Sequence, residues 1–322
     1  MRCKPTDWDV IQGEKCKICG KRAEISLIYG PHHYCKQHFL YLTEKRVKRT
    51  IRKYSLIKPG EKILLTMSGG KDSSVAAYLI NKIFSKSCEI KALLIDEGIK
   101  GYRDKSIEFA KKNCEEWNIN YKVIKFEEEY GTTMGKIQKM IMKDHSLGNP
   151  CSFCGIMRRQ LMNKYARTVK ADKLVTGHNL DDECQSILMN VCDNKPELFV
   201  RLGPKSGIIK TSEFVTRVKP LYEISENEVF AYANFAGIKY YGGECCPLSH
   251  KAKRNEYRET INRLEKAYPG TKYSTINFFE RIKNMLKKDA YSEFRLKQCE
   301  LCSEPCSTGI CKVCEKLNAI RK

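Results

Sequence analysis

Nowhere in its 322 residues does the chain hold an apolar run near the roughly 18 residues that a membrane-spanning helix needs, which excludes a transmembrane protein. The opening residues Met1-Arg2-Cys3-Lys4-Pro5 carry no apolar core of the kind a secretory signal uses, so a cytoplasmic protein is expected. Carboxylates are scarce: 38 Asp and Glu stand against 59 Lys and Arg, a formal charge of +21. That imbalance suits a polyanionic partner, either nucleic acid or an anionic membrane face. Cysteine, by contrast, is abundant at 17 residues. Without export, so many thiols point to metal or redox chemistry rather than a disulfide framework. A hydrophobic fraction of 42% is enough for a sizeable core, and the length allows one large domain or two, with small satellites.

The cysteines are clustered. Cys16-x2-Cys19 is followed after fifteen residues by Cys35-x2-His38, and Gly20 permits the tight knuckle that aims backbone amides at thiolate sulfur. Cys299-x2-Cys302 is followed after eight residues by Cys311-x2-Cys314. Two pairs of ligands across a short loop suit tetrahedral Zn²⁺ better than chance spacing or disulfides. The cysteine-rich tail has too little apolar content for a core of its own, so metal binding would supply its folding energy. Cys3 and Cys306 read as spare thiols, and Cys88, Cys114, Cys184 and Cys192 as small buried apolar side chains. Cys151-Ser152-Phe153-Cys154-Gly155 differs: no second CxxC follows, and the nearest candidates are Cys245 and Cys246. By spacing alone this is a dithiol redox pair, half a zinc site, or part of a three-cysteine iron–sulfur site.

From Lys62 the pattern alternates. Residues 62–67 read as a buried strand, then Ser68-Gly69-Gly70-Lys71-Asp72-Ser73-Ser74, then a helix from Val75. A strand, a glycine-rich turn and a helix present free amides and a helix dipole to phosphate. The string matches neither G-x4-G-K-[ST] nor G-x-G-x-x-G. Further strands are expected at 89–95, 121–126 and 172–176, and helices at 102–117, 136–143, 158–169 and from Leu180 to about Val191. This implies a mostly parallel α/β sheet with ligands at the strand C-terminal ends. Asp96, Asp181, Asp182 and Glu183 lie there as candidates for Mg²⁺ or ribose, against the alternative of helix caps. His178, beside Gly177, is a candidate nucleotide contact.

Ser68-Gly69-Gly70-Lys71-Asp72-Ser73 resembles the PP-loop of the N-type ATP pyrophosphatases, whose fold is the adenine nucleotide alpha-hydrolase-like α/β type. Asp96-Glu97-Gly98-Ile99 with Gly101-Tyr102-Arg103, Cys151-x2-Cys154-Gly155 with Arg158-Arg159, and Thr176-Gly177-His178-Asn179-Leu180-Asp181-Asp182-Glu183 bring the resemblance to the tRNA 2-thiolation enzymes. With both flanking zinc modules, the chain is similar to the branch holding the thermophile thiouridine synthetase and the archaeal and eukaryotic wobble-uridine thiolase. The resemblance runs from Cys16 to Cys314. It implies that residues Ser68 to Ser73 bind ATP phosphates, with Asp96, Gly177 and His178 near the nucleotide. It also implies a [4Fe–4S] cluster on Cys151, Cys154 and one late cysteine. Cys246 is favoured because Cys-Pro fits the synthetase-like string, with Cys245 as the alternative.

The implied reaction is coherent. ATP, with Mg²⁺, adenylates the C2 oxygen of a tRNA uridine, at position 34 or 54, and a sulfur nucleophile then displaces AMP. Arg158, one helical turn from Cys154, would stabilise the activated base or AMP; Asp181 or Asp182 would orient the base or the metal. The sulfur donor would be a ubiquitin-like thiocarboxylate carrier, sulfide or a persulfide, and a homodimer is expected. Basic stretches at 44–53 and 251–258, extended by Lys272, Lys283, Lys287 and Lys288, provide a tRNA footprint. The expected organisation is a zinc module at 1–42, a basic linker helix at 43–61, the PP-loop domain at 62–220, a helical part at 221–294 and a zinc ribbon at 295–322. Two rivals are a PP-loop ligase for a small molecule and a non-catalytic zinc-ribbon RNA binder.

Overall fold

The computed structural model describes residues 13–30, 32–206, 213–243, 246–249, 252–290 and 296–321, apart from the side chains of 287–290. A short antiparallel pair, β1 (Ile25–Leu27) and β2 (His32–Tyr34), leads into helix α1 (Lys36–Lys53). Alternation follows: β3 (Lys62–Thr66), α2 (Lys71–Phe84), β4 (Glu89–Asp96), α3 (Arg103–Glu116) and β5 (Asn120–Lys125). Helices α4 (Phe126–Tyr130), α5 (Met134–Lys143) and α6 (Pro150–Thr168) come next, then β6 (Lys173–Val175), α7 (Leu180–Cys192) and α8 (Pro196–Phe199). The chain goes on through β7 (Lys205–Ser206), β8 (Thr216–Val218), α9 (Glu226–Phe235), α10 (Arg254–Ala267) and α11 (Thr271–Ala290). A second small pair, β9 (Lys297–Gln298) and β10 (Pro305–Cys306), precedes α12 (Lys312–Arg321).

The central sheet has the order β5-β4-β3-β6-β8-β7, parallel throughout except for the edge strand β7. Its inner strands are buried on both faces, as near-continuous apolar runs predict. Within β3 the two faces separate by alternation: Ile63 and Leu65 join one core with α1, α2, α3 and α9, while Leu64 joins the other with α5, α6 and the C-terminal module. A third cluster holds α7, α8, α10 and α11 together. Strand order reverses at β3, so the loops leaving β3 and β6 diverge and open a crevice at their C-terminal ends.

Helix α1 packs because Phe39, Thr43, Val47, Thr50 and Ile51 recur at helical spacing and are buried, leaving Lys45, Lys48, Arg49 and Arg52 exposed while Arg46 turns inward onto Glu228. It starts at Lys36, seven residues before the expected linker helix, because no Gly or Pro interrupts 36–53; His38 therefore sits in its first turn. Helix α6 starts eight residues before the expected 158. Pro150 takes its first position and Asn149 Oδ1 accepts from Cys151 N at 2.8 Å, which places both cysteines of the CxxC inside the helix. Strands β7 and β8 carry two and three residues, too few for a periodic signal. Among the described residues no helix is long and apolar enough to cross a membrane.

Candidate functional site

The loop after β3 is a built turn. Gly69 has φ +79°, and a Cβ there would meet the Ser106 carbonyl oxygen at 1.8 Å, so only glycine fits. Ser73 Oγ donates to Gly70 O at 3.0 Å and lies 2.9 Å from Ser68 Oγ, tying the loop to the first turn of α2. Lys71 Nζ sits between Asp72 Oδ2 at 2.9 Å and Glu226 Oε1 at 2.8 Å. The free amides at the start of α2, with its dipole and Lys71, form an anion-binding corner.

The loop after β6 closes on that corner. A Cβ on Gly177 would lie 2.6 Å from Ser73 N, so a side chain would separate the two loops. Asn179 and Asp182 form a capping box at the start of α7, and Asn179 Nδ2 also donates to Asp72 Oδ1 at 2.9 Å. Loss of hydration and the Lys219 charge pull the pKa of His178 down. Its Nδ1 lies 2.9 Å from Thr176 Oγ1.

The carboxylates divide by partner. Asp181 is buried, paired with Lys272 and accepting from Glu226 N at 2.8 Å. Glu183 is buried against Lys219 and Gly203 N. Asp96 accepts from Gly98 N at 2.8 Å. Asp182 is the more open, its side chain 27% exposed and 3.6 Å from Arg254 Nη1.

A chain of charged groups runs from this corner to the CxxC. Arg103 Nη1 donates to Ser68 O at 2.9 Å, and the same guanidinium is clasped by the buried carboxylate of Glu97. Glu97 Oε1 also faces Arg158 Nη1 at 3.6 Å. Arg158 in turn lies in the field of Cys154 and Cys246. Sequence reading assigned no role to Glu97; the signal was present in an acid directly following the Asp96 strand end, with three arginines near the same pattern.

Cys151 and Cys154 share the first turn of α6, and Cys246 approaches them from a separate segment, with Cys151 Sγ 3.6 Å from Leu248 O. Burial pushes the Cys154 thiol up to about 12 and raises Cys151 and Cys246 as well, with the Cys246 charge reinforcing the shift at both helix cysteines. Among the described residues the three sulfurs do not form a set within 4.8 Å of one another, so they are spread too widely for one tetrahedral ion. Three thiolates of this kind are the donor type that an iron–sulfur cluster takes. Cys245, the alternative, lies outside the described residues, as do Cys3 and Lys251.

Two other sets do converge: Cys16, Cys19, Cys35 and His38, and Cys299, Cys302, Cys311 and Cys314, each with donor atoms within 4.8 Å of one another. A zinc tetrahedron with Zn–S of about 2.3 Å and Zn–N of about 2.0 Å has edges of roughly 3.8 Å between sulfurs and roughly 3.5 Å from sulfur to nitrogen. The observed Cys19–Cys35 and Cys302–Cys311 separations are 3.8 and 3.7 Å, and His38 Nδ1 lies 3.4 and 3.3 Å from Cys16 and Cys35. Donor spacing and type therefore fit one tetrahedral metal ion per set. Burial acts to raise the Cys16 thiol, but the amides of Cys35, Ile18 and Cys19 outweigh it and bring it to about 6. In the C-terminal set, Cys311 N donates to Cys299 Sγ at 3.2 Å. That module docks on α6: Gln160 Nε2 points at Cys311 Sγ at 3.5 Å, its Oε1 accepting from Tyr130 OH at 3.1 Å, and Arg167 pairs with Glu304 at 2.6 Å.

Of the cations expected on the surface, Lys45, Lys48, Arg49 and Arg52 line the exposed side of α1. Lys272 and Lys283 do not belong there. Both are buried, Lys272 on Asp181 and Lys283 on the Leu202 carbonyl, because α11 turns them into the α7–α8 packing. The side chains of Lys287 and Lys288 lie outside the description.

Comparison with known proteins places this geometry. A family model described as a PP-loop domain matches residues 41–265. A tRNA-5-methyluridine(54) 2-sulfurtransferase of Pyrococcus horikoshii is 36% identical over 94% of this chain and 93% of its own length. The tRNA 2-thiolation protein NcsA of Haloferax volcanii is 32% identical over 95% of this chain and 99% of its own. The solved U34-tRNA thiolase NcsA of Methanococcus maripaludis, with its [4Fe-4S] cluster, superposes with a TM-score of 0.80 at 34% identity, covering 96% of this chain and 97% of that one.

Proposed function

The chain belongs to the PP-loop tRNA 2-thiolation family and is a tRNA uridine 2-sulfurtransferase; we propose that it acts on uridine 34 or 54 by the following division of labour. Ser68 to Ser73 hold the ATP phosphates, with Asp96, Gly177 and His178 beside the nucleotide. The uridine O2 attacks the α-phosphorus, and pyrophosphate leaves against the loop amides and Lys71. Mg²⁺ would share that charge, with Asp182 a partly exposed carboxylate beside the loop. A sulfur nucleophile then adds to C2, and the C2–O bond breaks to release AMP. Arg158 faces the charge that develops as AMP departs, while Asp181, engaged at both oxygens, fixes α9 and α11 around the loop.

Cys151, Cys154 and Cys246 would hold a [4Fe–4S] cluster, which supplies one iron without a protein ligand where sulfur can bind. The two four-donor sets each hold Zn²⁺. Sulfur comes from a ubiquitin-like thiocarboxylate carrier, sulfide or a persulfide, and the enzyme works as a cytoplasmic homodimer.

The observation that supports this reading is the run of contacts Ser68–Arg103–Glu97–Arg158, which joins the phosphate corner to the helix that carries Cys151 and Cys154. A small-molecule PP-loop ligase has no use for the cysteine half, and a non-catalytic binder has none for the loop. Anaerobically purified protein is expected to be brown, to release pyrophosphate only with tRNA, and to leave 2-thiouridine at one mapped position in digested tRNA. A colourless protein without tRNA-dependent pyrophosphate would overturn it. Gly69→Ala is expected to weaken ATP on the order of 10-fold or more, because the added methyl combines left-handed strain with a backbone clash; titration calorimetry reads this directly.

A further inference from the structure

A cavity of about 340 Å³ opens where the N-terminal metal module, α1 and α11 meet, its lining residues Tyr34 and Phe39 adjoining Cys35 and His38 of the metal set. Tyr29, His32, Tyr34, Arg46, Arg49 and Tyr273 give it its character, and none of its lining residues is acidic. We propose that this cavity takes one unpaired base of the tRNA, other than the target uridine, with the adjoining phosphates on the cations of α1.

His32 and Tyr34 alternate on β2 and so share a face; their rings are 6° from parallel with centroids 6.2 Å apart, a parallel pair of aromatic faces. Tyr29 meets Tyr273 edge-on at 4.9 Å. The floor is preorganised. Arg46 pairs with buried Glu228, donates to Tyr29 OH at 2.9 Å and to Glu223 O at 2.7 Å, while Tyr29 OH donates to Glu228 at 2.7 Å. Rings that are already fixed lose little freedom when a base settles on them. Unpaired RNA bases are recognised by stacking on such rings and on arginine. The cavity lies at the lower end of small-ligand sites, a size suited to one nucleoside rather than a peptide segment.

Charge names the occupant. Arg49, its side chain 64% exposed, stands at the cavity, and Lys45, Lys48 and Arg52 continue along the same exposed side of α1. An aromatic cavity beside a line of exposed cations, of which Arg49 also lies 3.7 Å from Glu223, matches a base attached to a phosphate chain.

This inference rests on tRNA being the substrate, and the test separates the two. Unmodified tRNA is titrated against the wild type, Tyr34→Leu, His32→Ala and Arg49→Ala across a salt series, with turnover measured in parallel. Tyr34→Leu keeps apolar bulk and removes the ring. It is expected to weaken tRNA binding roughly 10-fold at unchanged salt slope, since stacking releases no counterions, with kcat at saturating tRNA within about twofold. His32→Ala should behave alike, Tyr34→Phe should restore binding, and Arg49→Ala should lower the salt slope by about one. Zinc content and circular dichroism equal to wild type show that Tyr34→Leu is folded; Tyr34→Phe serves as the second variant. Wild-type affinity in folded Tyr34→Leu overturns the cavity alone. A wild type without tRNA-dependent turnover removes the substrate reading, and this one with it.

Discussion

Cys154→Ser is expected to abolish 2-thiouridine formation, lowering kcat/KM on the order of 10³-fold or more, while tRNA-dependent pyrophosphate release persists. The two halves of the site predict this split. Cys154 lies in the first turn of α6, where burial has already pushed its thiol up to about 12, so its thiolate exists only with a cation to stabilise it. A serine hydroxyl in the same place is a far weaker ligand and stays protonated. The loop from Ser68 to Ser73 and Lys71 is untouched by the change, so adenylation chemistry keeps its groups. Iron and acid-labile sulfide should fall with thiolation, as measured on anaerobic protein. Cys246→Ser should reproduce the loss and Cys245→Ser should not. Full thiolation by Cys154→Ser would remove the three-cysteine assignment.

The second large effect concerns stability. Glu97 is 1% exposed and Arg103 4% exposed, and their pair links the Ser68 carbonyl to Arg158. Removing the carboxylate leaves a buried guanidinium without its partner, which costs about 3–5 kcal/mol. In a chain this large such a loss lowers Tm by roughly 10 °C. Glu97→Ala should therefore melt early by calorimetry and lose turnover through misplaced Arg103 and Arg158. Glu97→Gln keeps acceptor geometry without the charge and should fall between. Arg158→Ala, with a side chain already 43% exposed, should cost turnover with little change in Tm. Equal melting of Glu97→Ala and wild type would show that the pair holds nothing together.

Much of this was legible in the sequence where chemistry and local pattern coincide. Ser68 to Ser73 and Gly177 announced themselves by composition, and the two metal sets by spacing, because knuckle geometry is local and fixes which residues can converge. Helix starts were less legible: α1 runs back to Lys36 because no Gly or Pro interrupts it, and α6 begins at Pro150, where the CxxC masked the Asn149-Pro150 start signal. The surface lysines were partly misread. Lys272 and Lys283 share composition with true surface cations, and only the turn of α11 toward Asp181 and Leu202 decides their fate. Gln160 and the Tyr29–Arg46–Glu228 floor were out of reach because their partners lie far along the chain, up to 199 residues for Tyr29 and Glu228, whereas Glu97 has Arg103 six residues on and was passed over despite that local signal.

Helix α6 has a bearing on biosynthesis. Phe153, Gln160 and Arg167 recur every seven residues and meet, in turn, Lys316, the Cys311 sulfur and Glu304. The helix that carries Cys151 and Cys154 is thus braced by a module whose Glu304 lies 137 residues later than its partner Arg167. At translation rates of about 5–20 residues per second the brace arrives on the order of 10 s after the helix, so the segment carrying both cysteines is made well before the module that holds it in place.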